Sequence, residues 1–404
     1  MPEADGSRRP FQGVRILDFT QVLAGPYASY QLSLLGAEVI KVERREGEDN
    51  RRTPLSREWA DRGMAPGWQA INLNKRSLTL DLQKPEAKAI VARIAQRADV
   101  VMENFRPGVM DRLGLGYAAL SEVNPRLIWC SVSGFGQTGP YRTEAGYDGR
   151  IQALSGIMAM TGHPGGDPLR AGFAVCDTLS GMTAAYAVAA ALFQRTQTGR
   201  GQMIDVSMLD SSLAFLAPQV AEWTVAGHRQ QPWGNQAVSR RATANLFRAG
   251  EGQHLLLAAN TEKQYQALMR AIDRAEALED PKLADWFLRN ENAGHLRAII
   301  EGALAADTPE NWEERLNAAG VPCARVRRVD EIVEHPQVLA RDALQEVETP
   351  WGRLRFATAG FRMAHGGAKL DRAAPALGAD TDAVLAESGF GAAEIAAFRA
   401  AEVV

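Results

Sequence analysis

Short apolar segments and amphipathic helical segments alternate along the first half of the chain. Residues 14–19 (VRILDF) form an apolar run that predicts a strand, and Gly25-Pro26 then opens a segment with apolar residues at helical spacing. Gly36 follows that segment, where a helix commonly ends in a residue with positive φ, and 37–43 (AEVIKVE) is typical of a second strand. A helical connection between two buried strands predicts that they lie parallel with a right-handed crossover.

The alternation of strands and helices continues as far as residue 207. The further predicted strands are 76–82, 100–105, 127–133 and 203–207, and the further predicted helices are 85–98 and 180–195. Repeated βα units of this kind predict an α/β fold, in which a doubly wound and mostly parallel sheet carries helices on both faces.

A change in composition at 227–234 (GHRQQPWG) indicates a candidate linker. Beyond it, 252–259 predicts a strand, and Thr261 to Gln264 has the T-x-x-Q form of a capping box at the start of a helix. The segment up to about residue 324 is therefore typical of a smaller α+β domain, after which strand and helix signals with Gly and Pro turns return.

The charge balance gives no reason to expect a polyanionic partner. Acidic and basic residues number 48 and 45, the net charge is −3, and no run of Lys and Arg stands out, so nucleic acid binding is not expected. The first fourteen residues lack the apolar core of a signal peptide. The apolar stretch 184–193 is too short to span a bilayer, which takes about 20 residues. These features predict a cytoplasmic protein without a membrane partner.

The cysteines and histidines show no metal-binding pattern. Cys130, Cys176 and Cys323 are far apart and odd in number, which argues against a disulfide framework and against a zinc site. The six histidines form no H-x-x-H or H-E-x-x-H motif, so no metal is expected.

Residues Gly134 to Gly139 (GFGQTG) match the dinucleotide motif G-x-G-x-x-G and follow a predicted strand. In a dinucleotide site, the third glycine lies in a helix whose N-terminus faces the pyrophosphate. Here Pro140 follows at once, and 141–144 shows no apolar helical stripe. The segment is therefore interpreted as a glycine-rich active-site loop, with an NAD-dependent dehydrogenase kept as an alternative of another class.

A series of short motifs extends along most of the chain. In order they are Asp18-Phe19-Thr20, Leu23 to Pro26, Leu35 to Glu43, Asn74 to Leu78, Glu103 to Gly108, Gly146-Tyr147-Asp148, Cys176 to Gly181, Thr198 to Gln202, Gly320 to Cys323 and Pro375 to Gly378. Together they resemble class III coenzyme A transferases, of the formyl-CoA transferase and carnitine-CoA transferase type, from about Gly13 to the terminal Val-Val. The resemblance implies an acyl-CoA:carboxylate CoA-transferase whose substrates are CoA or acyl-CoA and a small carboxylic acid, with no tightly bound cofactor.

The resemblance assigns the nucleophile to Asp177. In that family, the aspartate attacks the acyl-CoA thioester and forms a mixed anhydride, and the CoA thiolate returns to give an aspartyl-CoA thioester. A carboxylate suits this role because its anhydride is about as activated as the thioester. Position alone favours a different interpretation, in which Asp177 is the N-cap of the predicted helix.

The residue before Asp148 separates transferases from the related α-methylacyl-CoA racemases. Racemases resemble this region but have His before that aspartate, as a partner in α-proton exchange, whereas this chain has Tyr147. Tyrosine, with a reference pKa of about 10, is a poor base at neutral pH. This departure counts against the racemase, which is kept as an alternative together with a non-catalytic CoA-binding protein.

The resemblance also identifies candidate CoA-binding positions. They are Val22, Ala24, Arg44, Leu80, Asn104, Phe105, Arg112, Tyr147 and Asp148. Arg44 and Arg112 can contact phosphates, and the apolar Leu80 and Phe105 can contact the adenine. The chain departs from the family pattern at Leu23, where a polar residue is common, at Ala145, which is sometimes Lys, and at Asp380, which is often His.

The family resemblance implies how the domains are arranged. It predicts that 1–224 forms the first part of a large Rossmann-like CoA-binding domain, that 225–325 is a smaller inserted domain, and that 326–404 completes the large one. It also implies a homodimer with interlocked subunits.

The sequence gives little information about which carboxylic acids are the substrates. The glycine-rich loop of enzymes that use formyl-CoA and oxalate is missing, so oxalate is disfavoured. The pair Arg240-Arg241 would suit a second carboxylate, which favours dicarboxylic acids such as succinate.

Overall fold

The computed structural model of the chain describes residues 8–404; residues 1–7, part of the polar N-terminal stretch, lie outside the described range. The chain divides into two compact units. The first contains the chain up to Ile157 together with Arg170–Arg229 and Pro336–Val404, and the second contains Met158–Leu169 and Gln230–His335.

A six-stranded parallel sheet forms the centre of the first unit. Its strands are β1 (Arg15–Asp18), β2 (Glu38–Glu43), β3 (Lys75–Thr79), β4 (Val100–Glu103), β5 (Ile128–Ser133) and β6 (Met203–Ser207). They lie in the order β3-β2-β1-β4-β5-β6, and Ile16 of β1 pairs with Val39 on one side and Val100 on the other. The prediction of a mixed α/β protein with a parallel sheet is confirmed.

The remaining strands form two antiparallel sheets. In the second unit, β7 (Ala244–Arg248), β8 (His254–Ala258) and β9 (Cys323–Arg325) form a three-stranded sheet, and in the first unit β10 (Leu344–Thr349) and β11 (Gly352–Ala357) form a hairpin. The strands β7 and β9 were not predicted.

The α-helices differ widely in length. In chain order they are α1 (Ala24–Leu34), α2 (Arg57–Asp61), α3 (Pro66–Ala70), α4 (Pro85–Ala95), α5 (Val109–Arg112), α6 (Tyr117–Val123), α7 (Asp148–Leu154), α8 (Ile157–Met160), α9 (Val175–Thr198), α10 (Met208–Phe215), α11 (Ala217–Ala226), α12 (Glu262–Ala271), α13 (Trp286–Glu291), α14 (Ala293–Leu304), α15 (Pro309–Ala318), α16 (Val329–Ile332), α17 (Pro336–Ala340), α18 (Thr381–Glu387) and α19 (Ala392–Ala400). Short 3₁₀ helices lie at Asp49–Arg52, Gly250–Gly252, Ala275–Leu278 and Pro281–Leu283.

Each face of the parallel sheet has its own apolar core. On one face α4 and α6 pack with the C-terminal segment, from which Val384, Leu385 and Val403 are buried. On the other face α1 and α9 cover the strands, with Ala28 and Val188 fully buried. Burial on both faces explains why the central strands β4 (VVME) and β5 (IWCSVS) are mostly apolar rather than alternating.

The second unit has a separate core between its sheet and helices, which includes Phe247, Leu255 and Leu268. The capping box predicted at the start of α12 is confirmed, because Thr261 accepts a hydrogen bond from the backbone of Gln264 while the Gln264 side chain accepts one from the backbone of Thr261.

The helix α9 is longer than the predicted 180–195. Within residues 8–404 it is the one helix long and apolar enough, by length and composition, to cross a membrane, although the apolar stretch 184–193 alone is too short. Because α9 packs against α1, α7, α10 and the strands β5 and β6, its surroundings are those of the core helix of a sheet-based domain.

The contact between α1 and α9 depends on Gly181. A Cβ atom at this position would lie 2.6 Å from the backbone oxygen of Ala24 and 3.0 Å from the Tyr27 ring. We expect Gly181→Ala to lower the free energy of unfolding by about 1–3 kcal/mol, because the backbone of α1 would have to move.

Gly302 is the matched control, since it also lies in a helix interior but a Cβ atom there would meet nothing within 4 Å. Gly302→Ala is expected to stabilise by about 0.5–1 kcal/mol. Denaturant unfolding of both variants checks the contrast, and equal effects would contradict it.

Candidate active site

The order of the parallel strands changes direction between β1 and β4, so the loops after these strands diverge at the carboxyl edge of the sheet. Such a crevice is where open α/β sheets bind ligands. Two reciprocal hydrogen bonds join the loops: the Gln21 backbone N–H donates to Asn104 Oδ1 (2.8 Å), and Asn104 Nδ2 donates to the Gln21 oxygen (2.7 Å). These hydrogen bonds hold the two loops together at the crevice.

A cavity of about 200 Å³ opens at this crevice and is called here the Asp177 cavity. Its lining consists of 21–24, 104–107, 132–134 and 144–147, with Asp177 and Met208. The structure thus brings together six residues that the sequence analysis selected: Val22, Ala24, Asn104, Phe105, Tyr147 and Asp177.

Asp177 lies in the first turn of α9. The N-cap of this helix is Ala174, so the interpretation of Asp177 as the capping residue was wrong. Burial, and secondly repulsion by the nearby Asp148 carboxylate, raise the pKa of Asp177 to about 7. No hydrogen bond within residues 8–404 stabilises its ionised form, so the carboxylate is free to react with a ligand.

Asp148 is the first residue of α7 and is not among the residues that line the Asp177 cavity. Its buried carboxylate accepts hydrogen bonds from the backbone N–H of Cys176 (2.8 Å) and from Gln152 Nε2 (2.6 Å). It also forms an ion pair with Arg170 at 3.3 Å. Asp148 therefore holds the first turn of α9, and with it the Asp177 side chain.

A second cavity, of about 510 Å³, shares Gln21 and Phe105 with the first. Arg44 and Leu80, both selected from the sequence, line this second cavity, as does Arg45. Two joined cavities, one with a carboxylate and one with guanidinium groups and apolar side chains, suit a long ligand that has a reactive group at one end and phosphates at the other.

The positions of Arg44 and Arg112 fit a phosphate-binding role less directly. The Arg44 guanidinium donates to the backbone oxygen of Gly47 (2.6 Å) and pairs with Asp49, so a phosphate would share it with those groups. Arg112 is exposed on α5 and does not line the second cavity, although its neighbours Val109 and Leu113 do.

A buried ion pair beneath the loop after β1 was missed by sequence reasoning. The ammonium of Lys41 lies 2.9 Å from Glu48 and donates to the backbone oxygen of Thr20 (2.8 Å). Glu48 in turn accepts the backbone N–H of Val22 (2.9 Å) and the indole N–H of Trp68 (2.6 Å). This arrangement holds Val22 on the cavity wall with a φ of 68°, a conformation that is costly for a β-branched residue.

The sequence did contain a signal for this ion pair. Lys41 stands in the middle of the predicted strand 37–43, and a charged residue in a strand buried on both faces is rarely left unpaired.

The glycine-rich loop 134–139 has a different role from that of a dinucleotide motif. Gly134 and Gly146 touch through their backbones, since a Cβ atom on Gly134 would lie 2.5 Å from the Gly146 Cα. No helix begins in the loop, and the next one, α7, starts at Asp148. The loop therefore presents no helix N-terminus to a pyrophosphate, and it supports the segment that carries Tyr147.

Comparisons with known proteins identify the family of the chain. The sequence profile of the family described as CoA-transferase family III matches residues 11–381. Succinyl-CoA--D-citramalate CoA-transferase from Chloroflexus aurantiacus is 34% identical, over 92% of this chain and 92% of its own length. Human succinyl-CoA:glutarate CoA-transferase is 32% identical, over 96% of this chain and 88% of its own length.

The solved structures give the same assignment. A CAIB/BAIF family protein from Brucella suis superposes with a TM-score of 0.86 at 33% identity, over 94% of this chain and all of its own. The chain therefore belongs to CoA-transferase family III and is an acyl-CoA:carboxylate CoA-transferase.

Proposed function

We propose that this enzyme moves CoA from an acyl-CoA to a free dicarboxylic acid through the carboxylate of Asp177. The main support for the proposal is that the Asp177 carboxylate is unpaired in its cavity within residues 8–404. Glu144, the other carboxylate of the lining, is paired with Arg150, whereas Asp177 has no cation or hydrogen-bond donor committed to it within residues 8–404. An uncommitted carboxylate retains its nucleophilicity.

Each half of the reaction consists of two acyl transfers. An Asp177 oxygen attacks the thioester carbonyl, the carbon–sulfur bond breaks, and CoA leaves as a thiolate while a mixed anhydride forms on Asp177. The thiolate then attacks the aspartyl carbonyl, which releases the donor acid as a carboxylate and leaves an aspartyl-CoA thioester. The acceptor carboxylate attacks this thioester, and the same steps in reverse yield the new acyl-CoA and regenerate Asp177.

The proposal of dicarboxylic acids follows from the relatives. The citramalate and glutarate enzymes both use succinyl-CoA by name, and a further relative from Haloarcula marismortui is a succinyl-CoA:mesaconate CoA-transferase, 35% identical over 83% of this chain. Every acid in these names carries two carboxylates. An assay of succinyl-CoA with a panel of dicarboxylic and monocarboxylic acids, read by mass spectrometry, tests the proposal; transfer to monocarboxylic acids alone would contradict it.

The racemase alternative makes a different demand on the site. It needs an acid and a base on either side of the α-carbon, and Tyr147, 69% exposed at the cavity wall, stands where racemases have His. We therefore expect no α-deuterium incorporation into a 2-methylacyl-CoA in D₂O without an acceptor acid. Rapid exchange would favour the racemase.

We also propose the domain arrangement and assembly that the resemblance implies: a large domain built from 1–224 and 326–404, an inserted domain at 225–325, and an interlocked homodimer. Support for an assembly comes from large apolar side chains exposed on the first unit. They are Tyr186, Phe193, Phe215 and Trp223, on α9, α10 and α11. Light scattering after size exclusion should give twice the chain mass, and a monomer would contradict the dimer.

The activity should depend on pH through Asp177. Because the free enzyme holds the pKa of this carboxyl at about 7, the ionised nucleophile is lost as the pH falls through 7, and kcat/KM should fall about tenfold per unit below that. The buried carboxyl of Glu103, whose pKa burial raises to about 7, titrates in the same range.

Asp148→Asn separates the two groups. The substitution removes the charge of Asp148, which repels the Asp177 carboxylate. Asp148 is not among the groups that raise the pKa of Glu103. If Asp177 controls activity, the acid limb of the kcat/KM profile should therefore move to lower pH. A pH profile of kcat/KM for both enzymes checks this, and an unmoved limb would assign the dependence to Glu103.

A further inference from the structure

The lining of the Asp177 cavity contains one cation, Arg106, in the loop that follows β4. Within residues 8–404 no carboxylate pairs with its guanidinium and no acceptor receives its N–H groups, and the side chain is exposed. Neither carboxylate of the same lining is paired with Arg106, since Glu144 is paired with Arg150 and Asp177 is the proposed nucleophile. Arg106 is therefore available to an anion that enters the cavity.

The phosphates of CoA are poor candidates for that anion. In an acyl-CoA, the long pantetheine arm separates the diphosphate from the thioester, so a thioester that reacts with Asp177 leaves the phosphates at the far end of that arm. The phosphates have cations of their own in the larger cavity, which Arg44 and Arg45 line. An anionic group that lies in the cavity together with the reacting thioester must belong to the acyl part.

We propose that Arg106 determines specificity by binding the second carboxylate of a dicarboxylic acyl group, which rests on the proposed function. A guanidinium can hold a carboxylate through two parallel hydrogen bonds, and this fixes the direction of the acyl chain as well as its charge. The same contact serves the free acid as acceptor, since its far carboxylate binds Arg106 while its near one attacks the aspartyl thioester. Arg106 thus selects acids with two carboxylates over acids with one.

Succinyl-CoA and butyryl-CoA test this inference, because they have the same chain length and differ in a terminal carboxylate against a methyl group. Arg106→Gln should raise the KM or inhibition constant for succinyl-CoA about 10- to 100-fold, as expected for a lost charge-assisted hydrogen bond, and leave that for butyryl-CoA unchanged. Arg106→Lys, which keeps the charge but not the fork, should recover part of the preference.

Arg97→Gln is the matched control. This exposed arginine follows α4 at the amino end of β4, the opposite edge of the sheet from the cavity. It should leave both constants unchanged.

Two results would overturn the inference. Equal weakening of succinyl-CoA and butyryl-CoA in Arg106→Gln would place Arg106 on the CoA moiety, and an unchanged ratio with unchanged constants would exclude it from binding. Either result leaves the proposed function intact as long as the unaltered enzyme transfers CoA between dicarboxylic acids. Absence of transfer by the unaltered enzyme would refute the function itself.

Discussion

Asp177→Asn should reduce kcat for CoA transfer by about 10³–10⁶-fold, because a carboxamide cannot form the anhydride and the whole covalent route is lost. The substitution keeps the size of the side chain, so acyl-CoA should still bind with little change in affinity. Initial rates with saturating succinyl-CoA and acceptor acid, together with a binding titration, measure the two effects separately.

The control for this variant is Asp210→Asn, since Asp210 also lies in the first turn of a helix, α10, but is exposed and outside the cavity lining. It should retain full activity. Comparable activity of the Asp177→Asn and Asp210→Asn enzymes would contradict the assignment of the nucleophile.

Stability provides an independent readout for the same variant. The folded protein raises the pKa of Asp177 from 3.8 to about 7, so ionisation of this group destabilises the fold as the pH rises through that interval. Asp177→Asn removes this cost and should raise Tm at pH 8 by several degrees, with the gain lost near pH 4. A fall in Tm at pH 8 would show that the loss of activity came from damage to the fold.

Glu48→Ala should lower the free energy of unfolding by about 3–5 kcal/mol, because it leaves the ammonium of Lys41 buried without its partner. The side chains of this pair are 0% and 5% exposed, so water cannot replace the lost carboxylate. The Val22 and Trp68 N–H groups lose their acceptor as well. Urea unfolding at neutral pH measures the loss.

Glu58→Ala is the matched control for Glu48→Ala. Glu58 pairs with Arg62 at 2.8 Å, but both side chains are substantially exposed, and exposed pairs contribute about 0–1 kcal/mol. Glu48→Gln, which keeps an acceptor but not the charge, should fall between the two alanine variants. Equal losses in Glu48→Ala and Glu58→Ala would mean that the buried pair does not hold the loop after β1.

The parallel sheet could be predicted because its strands leave short segments rich in β-branched and apolar residues between the helical segments. The segments 14–19, 37–43 and 203–207 contain the observed β1, β2 and β6 within a residue or two. The strand β9 was missed, since three residues are too few to show a period. The strand β7 (ANLFR) was missed because it lacks the apolar run that marks β8 (HLLLA), a strand of the same length.

The site was predictable in its parts but not in its contacts. Val22, Asn104, Tyr147 and Asp177 are far apart in the chain, and only the family resemblance joined them before the fold did. Their separate roles depend on tertiary neighbours, which periodicity cannot report. Asp148, for example, accepts a hydrogen bond from the first turn of α9 and does not line the cavity.

The extent of the second unit could not be predicted from local sequence patterns either. Residues 158–169 belong to it although they precede its main segment by some sixty positions, and no local pattern in their sequence indicates this.

In the proposed mechanism the CoA group passes through Asp177. The most direct measurement is peptide mass spectrometry of the enzyme after incubation with succinyl-CoA in the absence of acceptor acid. We predict a CoA adduct in thioester linkage on the peptide that contains Asp177, which disappears when an acceptor dicarboxylic acid is added and the new acyl-CoA forms. Turnover by an enzyme whose Asp177 peptide stays unmodified, or a CoA adduct on any other residue, would contradict the account.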